Sequence, residues 1–338
     1  MFSPGYVFSE NAKGNKKHFR IFPGGKEMDT KQIEYIIKIA EENNITRAAS
    51  KLYITQSALN QQLIKLEKEL GTPLFHRSRT NWHLTEAGEI YVKNAKEMLR
   101  IKRDTYQMIN DLTTGLRGHL SVGFTAGRGI TMFTSAYAIF HQRYPNIIIE
   151  PKEGVVRELQ KLISQGDLDI GFLTLTDVDR TTDIYETIYT EELFLAVPSG
   201  HPVARLAPNE PGVFATLDIR TLQYEPFVLM DKRSTMRTMI NQIFAEAGFE
   251  PQILFETGNN HTIISMIQSN LSCGILTYYY VKTLPSGITC FRLPTRPTWE
   301  FTASYKKGRY LSDAARCFID LMKSQWGNAG TISGELPK

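Results

Sequence analysis

Cysteine is scarce in this chain of 338 residues, which contains only Cys273, Cys290 and Cys317. An odd number of widely separated cysteines predicts neither a disulfide framework nor a CxxC metal pair. The seven histidines show no HExxH or comparably close spacing, and the sequence contains no GxSxG motif. We therefore predict that the protein is not an enzyme and that it holds no metal and no cofactor.

Long apolar runs are also missing from the sequence. No run approaches the ~18–20 residues that a membrane-spanning helix needs. The amino terminus lacks the apolar stretch and small-residue cleavage site of a signal peptide, so we expect a cytoplasmic protein. The net charge of +4 is too weak to indicate nucleic acid by itself, so such a function must rest on local pattern.

What is present is typical of a globular protein with several domains. Hydrophobic residues make up 42% of the chain and charged residues 22%, which excludes wholesale disorder. Residues 1–27 carry five basic and two acidic residues, four glycines and two prolines, without a helical or strand period. We expect a flexible basic extension there, followed by a first domain that begins at Met28.

Three helices are predicted after this extension. Apolar residues recur at helical spacing from Lys31, and a short alanine-rich helix follows from Thr46, a good N-cap residue. A third helix over 56–70 carries the apolar stripe Leu59, Leu63, Leu66 and Leu70 and ends at Gly71. We predict a helix-turn-helix motif over 45–64, within a first domain over 28–85 that ends with a short polar hairpin.

The third helix exposes hydrogen-bonding side chains at its N-terminal end, which is the end that enters the major groove in such motifs. At this end Gln56 would bond an adenine edge and Ala58 would touch a thymine methyl. Farther along the chain, Lys65, Arg77 and Arg79 would hold phosphates. An ordinary helical subdomain is the alternative. The predicted DNA-binding residues are Thr46, Arg47, Thr55, Gln56, Ser57, Ala58, Asn60, Gln61, Lys65, Arg77 and Arg79.

A long helix follows over 86–116, capped by Thr85. It carries one narrow apolar stripe, with steps of three and four residues: Ala87, Tyr91, Ala95, Met98, Ile101, Thr105, Met108 and Leu112. Such a stripe is typical of a helix that pairs with another helix, so we predict a dimerisation helix. Packing against its own domain is the alternative.

After Gly115, short apolar strands alternate with helical stretches, and the alternation restarts near Phe227. This pattern predicts parallel α/β units in two lobes, over 117–326. Lobe I is expected over 117–193 and 293–326, lobe II over 194–292, and a tail over 327–338. Ligands in such folds bind at the carboxyl ends of strands, here between the lobes.

The segment GFTAGRGIT over 123–131 follows a strand and opens a helix, so its backbone N–H groups can hold an anion. It is neither a GxGxxG motif nor a Walker A loop. The predicted ligand is a small molecule with a carboxylate or another anionic group. The predicted effector-binding residues are Thr125, Ala126, Gly127, Arg128, Gly154, Val155, Asp231, Lys232, Arg233, Ser234, Thr235, Thr257, Asn259, His261 and Thr277.

The string ITRAASKLYITQSALNQQLIKLEKELGTPLFHRSRTNWHLTEAGE resembles the DNA-binding domain of LysR-type transcriptional regulators. The resemblance extends more weakly over the chain from Met28. It implies an α+β multidomain fold: a winged helix-turn-helix, a linker helix, and a two-lobed α/β effector domain like periplasmic binding proteins. It also implies a double-stranded DNA operator, a homodimer or homotetramer, and an effector pocket at the loop 123–131.

Two features depart from this family. Many members have Ser-Arg where this chain has Asn60-Gln61, and the extension before Met28 is not typical. Two other classes of protein remain as alternatives: a solute-binding module of a transporter, and an enzyme on a two-lobed α/β scaffold.

Overall fold

A computed structural model describes residues 29–78, 82–113 and 117–329, and the backbone of residues 6–10 and 16–20. The chain divides into two compact units, residues 1–105 and 106–338. The predicted contact of Arg79 and most of the predicted tail lie outside the described residues. Among those described, no helix is long and apolar enough to cross a membrane.

Part of the N-terminal extension forms strands, which the sequence pattern did not predict. Strands β1 (Tyr6–Glu10) and β2 (Lys16–Arg20) pair antiparallel, from Tyr6 opposite Arg20 to Glu10 opposite Lys16. The prediction of a segment without strands is therefore wrong for these residues. Two strands that are close in sequence hydrogen-bond to each other through their backbones. Backbone hydrogen bonds need no periodic apolar side chains, so the sequence pattern gives no sign of these strands.

The first unit contains the predicted helix-turn-helix, followed by a short antiparallel wing. Leu59 and Leu63 are fully buried in its core, whereas Leu70 at the end of the predicted stripe is 44% exposed. Gly71 ends the third helix in the left-handed conformation, as predicted. The elements are α1 (Thr30–Glu42), α2 (Ile45–Lys51), α3 (Gln56–Leu70), β3 (Phe75–His76) and β4 (His83–Leu84).

The N-cap of α2 differs from the prediction. The helix begins at Ile45, and the side chain of Asn44, not Thr46, accepts a hydrogen bond from the backbone N–H of Arg47. Asparagine is at least as good an N-cap as threonine. The residue before it, Asn43, ends α1 in the left-handed conformation. Two successive asparagines therefore end one helix and start the next.

Helix α4 (Glu86–Thr113) begins after Thr85, whose hydroxyl accepts a hydrogen bond from the backbone N–H of Gly88 at 3.0 Å. Its first turns pack into the core of the first unit, where Tyr91 and Ala95 are buried. The rest of its apolar stripe is exposed. The exposed fractions are 45% for Met98, 53% for Ile101, 43% for Met108 and 87% for Leu112.

The second unit is built on one mixed sheet of seven strands. Its path is β11-β8-β13-β7-β5-β6, with β12 also paired to β8. The strands of this unit are β5 (Gly118–Phe124), β6 (Ile147–Glu153), β7 (Ile170–Leu175), β8 (Ile184–Pro198), β9 (Pro226–Met230), β10 (Gln252–Thr257), β11 (Gly274–Thr277), β12 (Ile288–Arg292) and β13 (Thr298–Tyr305). The helices are α5 (Arg128–Arg143), α6 (Val156–Gln165), α7 (Thr235–Ala247), α8 (Asn260–Gln268), α9 (Tyr278–Val281) and α10 (Asp313–Trp326).

The prediction of parallel pairing holds for only part of these strands. β5 pairs parallel with β6 and β7, and β9 pairs parallel with β10. β8 and β13 pair antiparallel with each other, and β13 with β7. β13 is a central strand that is buried on both faces, so its residues lack the alternation that would indicate an antiparallel strand.

Three hydrophobic cores form in this unit, and buried residues of β8 belong to two of them. Ile188 and Tyr189 pack in one core, with β5 and α5. The stretch from Leu193 to Val197 packs in the other, with β9 and α7. The long strand therefore crosses from lobe I to lobe II without a break.

Glu186 on β8 offers a test of how α10 is held against the sheet. Partial burial alone would raise its pKa, but hydrogen bonds from Lys323, Tyr305 and Arg316 lower the pKa from 4.5 to about 2. The ionised carboxylate therefore stabilises the fold above pH 4.5, and this contribution is lost as the pH falls toward 2. We expect Glu186→Gln to be less stable than wild type at pH 7, with a difference that shrinks steadily toward pH 3. Chemical denaturation across this range measures it, and a difference independent of pH would contradict the assignment.

Candidate functional site

The N-terminal end of α3 presents the surface expected for base readout. Gln56, Ser57 and Ala58 are exposed, as are Gln61 and Lys65 farther along the helix, while Asn60 is half-buried. Thr46 and Arg47 are exposed on α2. The apolar faces of the two helices are used internally, so the hydrogen-bonding groups at the start of α3 are left for a partner outside the unit.

Two predicted contact residues have structural roles in this surface. The hydroxyl of Thr55 accepts a hydrogen bond from the backbone N–H of Ala58 at 3.2 Å and so caps α3. The guanidinium of Arg47 donates to the carbonyl of Glu42 at 2.6 Å. The first interaction fixes the start of α3, and the second ties α2 to the end of α1.

Arg77 lies at the end of the first wing strand, and its charge is already engaged. Its guanidinium pairs with the carboxylate of Glu67 and lies 5.5 Å from the ring centre of Trp82. Glu67 also accepts a hydrogen bond from the backbone N–H of Leu74 at 2.8 Å. The Glu67 side chain therefore joins the wing to α3. A phosphate that contacts Arg77 would have to compete with the carboxylate of Glu67.

Sequence reasoning missed Tyr53, in the turn between α2 and α3. Its side chain is 95% exposed, and its φ of 56° lies in the left-handed region that few large residues adopt. A fully exposed aromatic ring beside the N-terminal end of α3 is a further candidate for contact with a partner. The only signal in the sequence was an aromatic residue at a turn position where Gly or Asn is usual.

In the second unit, the fold brings the predicted effector residues of each lobe together. In lobe I, the backbone N–H of Gly154 donates to the carbonyl of Phe124, so the loop after β6 lies beside the loop 125–127. In lobe II, the backbone N–H of Asp231 donates to the carbonyl of Thr257 at 2.9 Å, which joins the ends of β9 and β10. Both sets lie at carboxyl ends of parallel strands, where the sequence placed them.

The sequence predicts that Arg128 contributes to an anion site. In the structure its side chain is buried, and its guanidinium pairs with the carboxylate of Glu191. Burial alone would lower the pKa of Arg128, but the carboxylate of Glu191 outweighs it and raises that pKa above its ordinary value. The anion-binding charge expected at this helix start is therefore already neutralised within the protein.

Other charged residues of the predicted site are also paired. Hydrogen bonds from the guanidinium and backbone N–H of Arg233 lower the pKa of Asp231. Lys232 lies 3.9 Å from a carboxylate oxygen of Glu256. Two uncharged residues of the predicted site also have internal positions. Thr277 is buried. The side chain of Asn259 caps α8, where it accepts a hydrogen bond from the backbone N–H of His261.

Tyr280, which the sequence analysis did not single out, connects the two halves of the site. A methyl group on Gly127 would lie 3.4 Å from its hydroxyl, and that hydroxyl faces the backbone N–H of Arg128. Its ring packs edge-on against His261, with ring centres 5.8 Å apart. The run of three tyrosines that follows Thr277 was the available signal, because it comes directly after a strand end.

The three cysteines are free and buried. Burial raises the pKa of the Cys273 thiol to about 12 and that of Cys290 to about 12 as well. At neutral pH both thiols are protonated and weakly reactive. These two side chains therefore act as small hydrophobic residues of the second core.

Comparison with known proteins identifies the family. Residues 30–89 match the family described as bacterial regulatory helix-turn-helix protein, lysR family, and residues 113–327 match the LysR substrate binding domain. The chain is 28% identical to the uncharacterized HTH-type transcriptional regulator YcgK of Bacillus subtilis, over 88% of this chain and 94% of that protein. The chain belongs to the LysR family, and the resemblance noted in its sequence is confirmed.

Solved structures show the same fold. A full-length OxyR variant from Pseudomonas aeruginosa superposes with a TM-score of 0.65 at 21% identity, covering 88% of this chain and 98% of that one. CbnR in complex with its target DNA gives a TM-score of 0.56 at 19% identity, covering 88% and 99%. The protein is a DNA-binding transcriptional regulator with an N-terminal helix-turn-helix domain and a C-terminal effector-binding domain.

Thr235 tests whether the predicted site is held by contacts between the lobes. Its hydroxyl donates to the carbonyl of Thr174 at 2.7 Å, and both residues are buried, so this predicted ligand contact is occupied by protein. Thr235→Val keeps the shape but removes this hydrogen bond between buried groups, so we expect a loss of about 1–3 kcal/mol in unfolding free energy. Thr235→Ser retains the hydroxyl and serves as the control. Equal stability of the two variants in denaturant titrations would show that this bond is absent in solution.

Proposed function

We propose that the exposed N-terminal end of α3 reads the operator and that Gln56 makes its principal base contact. The observation that carries this proposal is the contrast between the two faces of α3: Leu59 and Leu63 are fully buried, and Gln56, Ala58 and Gln61 are exposed. Lys65 lies farther along the helix, where a cation can meet phosphate. Base edges supply the specificity and phosphates the position.

Substitution of Gln56 and Lys65 separates these two roles. Gln56→Ala should cost about 1–3 kcal/mol of binding on the cognate site and little on random DNA, because only the former offers the matching base edge. Lys65→Ala should weaken both complexes alike and reduce the salt dependence by about one charge. Electrophoretic shifts with the DNA upstream of the protein's own gene and with random DNA measure both. Equal losses on the two DNAs for Gln56→Ala would exclude it as a base contact.

We also propose that the exposed part of α4 forms the homodimer seam. Ile90, Met98, Ile101, Met108 and Leu112 lie along one side of the helix and are all at least 43% exposed. In the first unit, part of this stripe borders an apolar cavity of about 320 Å³ lined by Leu70, Thr72, Leu74, Ala87, Ile90, Tyr91, Asn94, Ala95 and Met98. An apolar stripe of this length is buried most simply by the same helix of a second copy.

A pair of charges in the seam tests this assembly. Burying a methionine contributes about 1.5–3 kcal/mol, so Met98→Glu with Met108→Glu should give monomers that bind the operator weakly. Lys93→Glu with Arg103→Glu places the same side chain at exposed positions of α4 outside the apolar stripe and should leave the dimer intact. Sedimentation velocity distinguishes the two results. Full-sized oligomers in the methionine variant would place the seam elsewhere.

The effector site that we propose lies between the loop 125–127 of lobe I and the strand ends of lobe II. Support comes from the Tyr280 hydroxyl, which lies 3.4 Å from the position of a methyl group on Gly127, and from His261, whose ring packs against that of Tyr280. A ligand that binds more tightly to one arrangement of the lobes than to another increases the population of the first arrangement. The protein then works in the cytoplasm as a regulator, because its operator DNA is located there.

A further inference from the structure

Glu191 lies at the point where the two lobes are joined. The strands β8 and β13 pair there, with Glu191 directly opposite Trp299. Its side chain is completely buried, and its two oxygens accept hydrogen bonds from three different elements. The donors are the guanidinium of Arg128 on α5, the indole N–H of Trp299 on β13 at 2.8 Å, and the backbone N–H of Tyr279 on α9 at 2.9 Å.

Arg128 is enclosed almost as completely as its partner. Aromatic rings of both lobes surround the guanidinium, and its Nη2 has no hydrogen-bond partner among the described residues. The ring centres lie 5.1–5.9 Å from its central carbon and belong to Tyr189, Tyr279, Trp299 and Phe301. Neither charge can lose the other without becoming an uncompensated buried charge, which is strongly unfavourable. The pair therefore stabilises the arrangement of the lobes in which both charges are buried together.

This arrangement fixes the loop that precedes α5. Arg128 is the first residue of the helix, and Gly127 before it has a φ of 75°, a conformation that favours glycine. The helix start has no side-chain cap, and the buried side chain of Arg128 anchors its first turn through the ion pair with Glu191. Through Glu191, the same restraint reaches the backbone of Tyr279 on the second lobe.

We propose that Arg128 is a positioning residue of the effector site and does not contact the effector. Through its ion pair with Glu191, Arg128 fixes the position of the loop 125–127 of lobe I relative to α9 of lobe II. The two segments lie on either side of the junction of β8 and β13. An effector that moves the lobes relative to each other has to act on this restraint. The inference rests on the effector site proposed above, because that loop is its lobe I part.

The test compares Arg128→Met, Glu191→Gln and the double variant in the full-length protein. Each single variant leaves one buried charge unpaired, so its melting temperature should fall on the order of 10 °C. The double variant contains no buried charge at this point and should recover most of that loss. If Arg128 positions the loop, however, hydrogen exchange at the amides of residues 126–131 should stay about tenfold faster in the double variant than in wild type.

An exposed pair provides the matched control. Arg220 and Asp218 form an ion pair on the surface of lobe II, and Arg220→Met with Asp218→Asn should change neither stability nor exchange in the loop. Wild-type exchange at residues 126–131 in the stable double variant would overturn the proposal, because the pair would then only balance charge. Undamaged single variants, or a double variant as unstable as the singles, would overturn it too. None of these measurements involves DNA or an effector, so they are independent of the outcome of the functional proposals.

Discussion

The second unit depends on the continuity of β8. Residues 184–192 of this strand pair with β13, and residues 193–198 pair with β11 and β12. One extended segment therefore belongs to two hydrophobic cores, and the lobes are joined by backbone hydrogen bonds. Such a connection resists separation of the lobes while permitting the strands to twist, so a change in lobe angle has to occur around β8 and β13 and the groups buried against them.

The buried charges lie at this same junction. A carboxylate on β8 costs free energy to bury unless donors surround it, and Glu191 obtains its donors from α5, β13 and α9. Elsewhere in the unit, Glu186 holds α10 to the sheet by similar bonds near the surface. The difference is burial: the side chain of Glu186 is partly exposed, whereas that of Glu191 is completely buried.

In the first unit, the separation between core and partner surface is simple. Most leucines of α3 are buried in the core of the unit, and the polar residues at the N-terminal end of the helix are exposed. Helix α4 combines both situations along one stripe, since Tyr91 and Ala95 are buried by its own unit while Met98 and Met108 are exposed. Helical period alone gives these four residues the same status, and only the neighbouring helices distinguish them.

The sequence by itself determined α3 from Gln56 to Leu70, the capping of α4 by Thr85, and the placement of the loop 125–127 at the end of β5, because caps, period and strand ends are local properties. Only the tertiary structure decided that Arg128 pairs with Glu191, 63 residues farther along the chain. It likewise decided that Thr235 is occupied by Thr174, and that Tyr280 meets the start of α5. A charge near a strand end has the same sequence pattern whether its partner is a ligand or a distant carboxylate, and packing alone makes that choice.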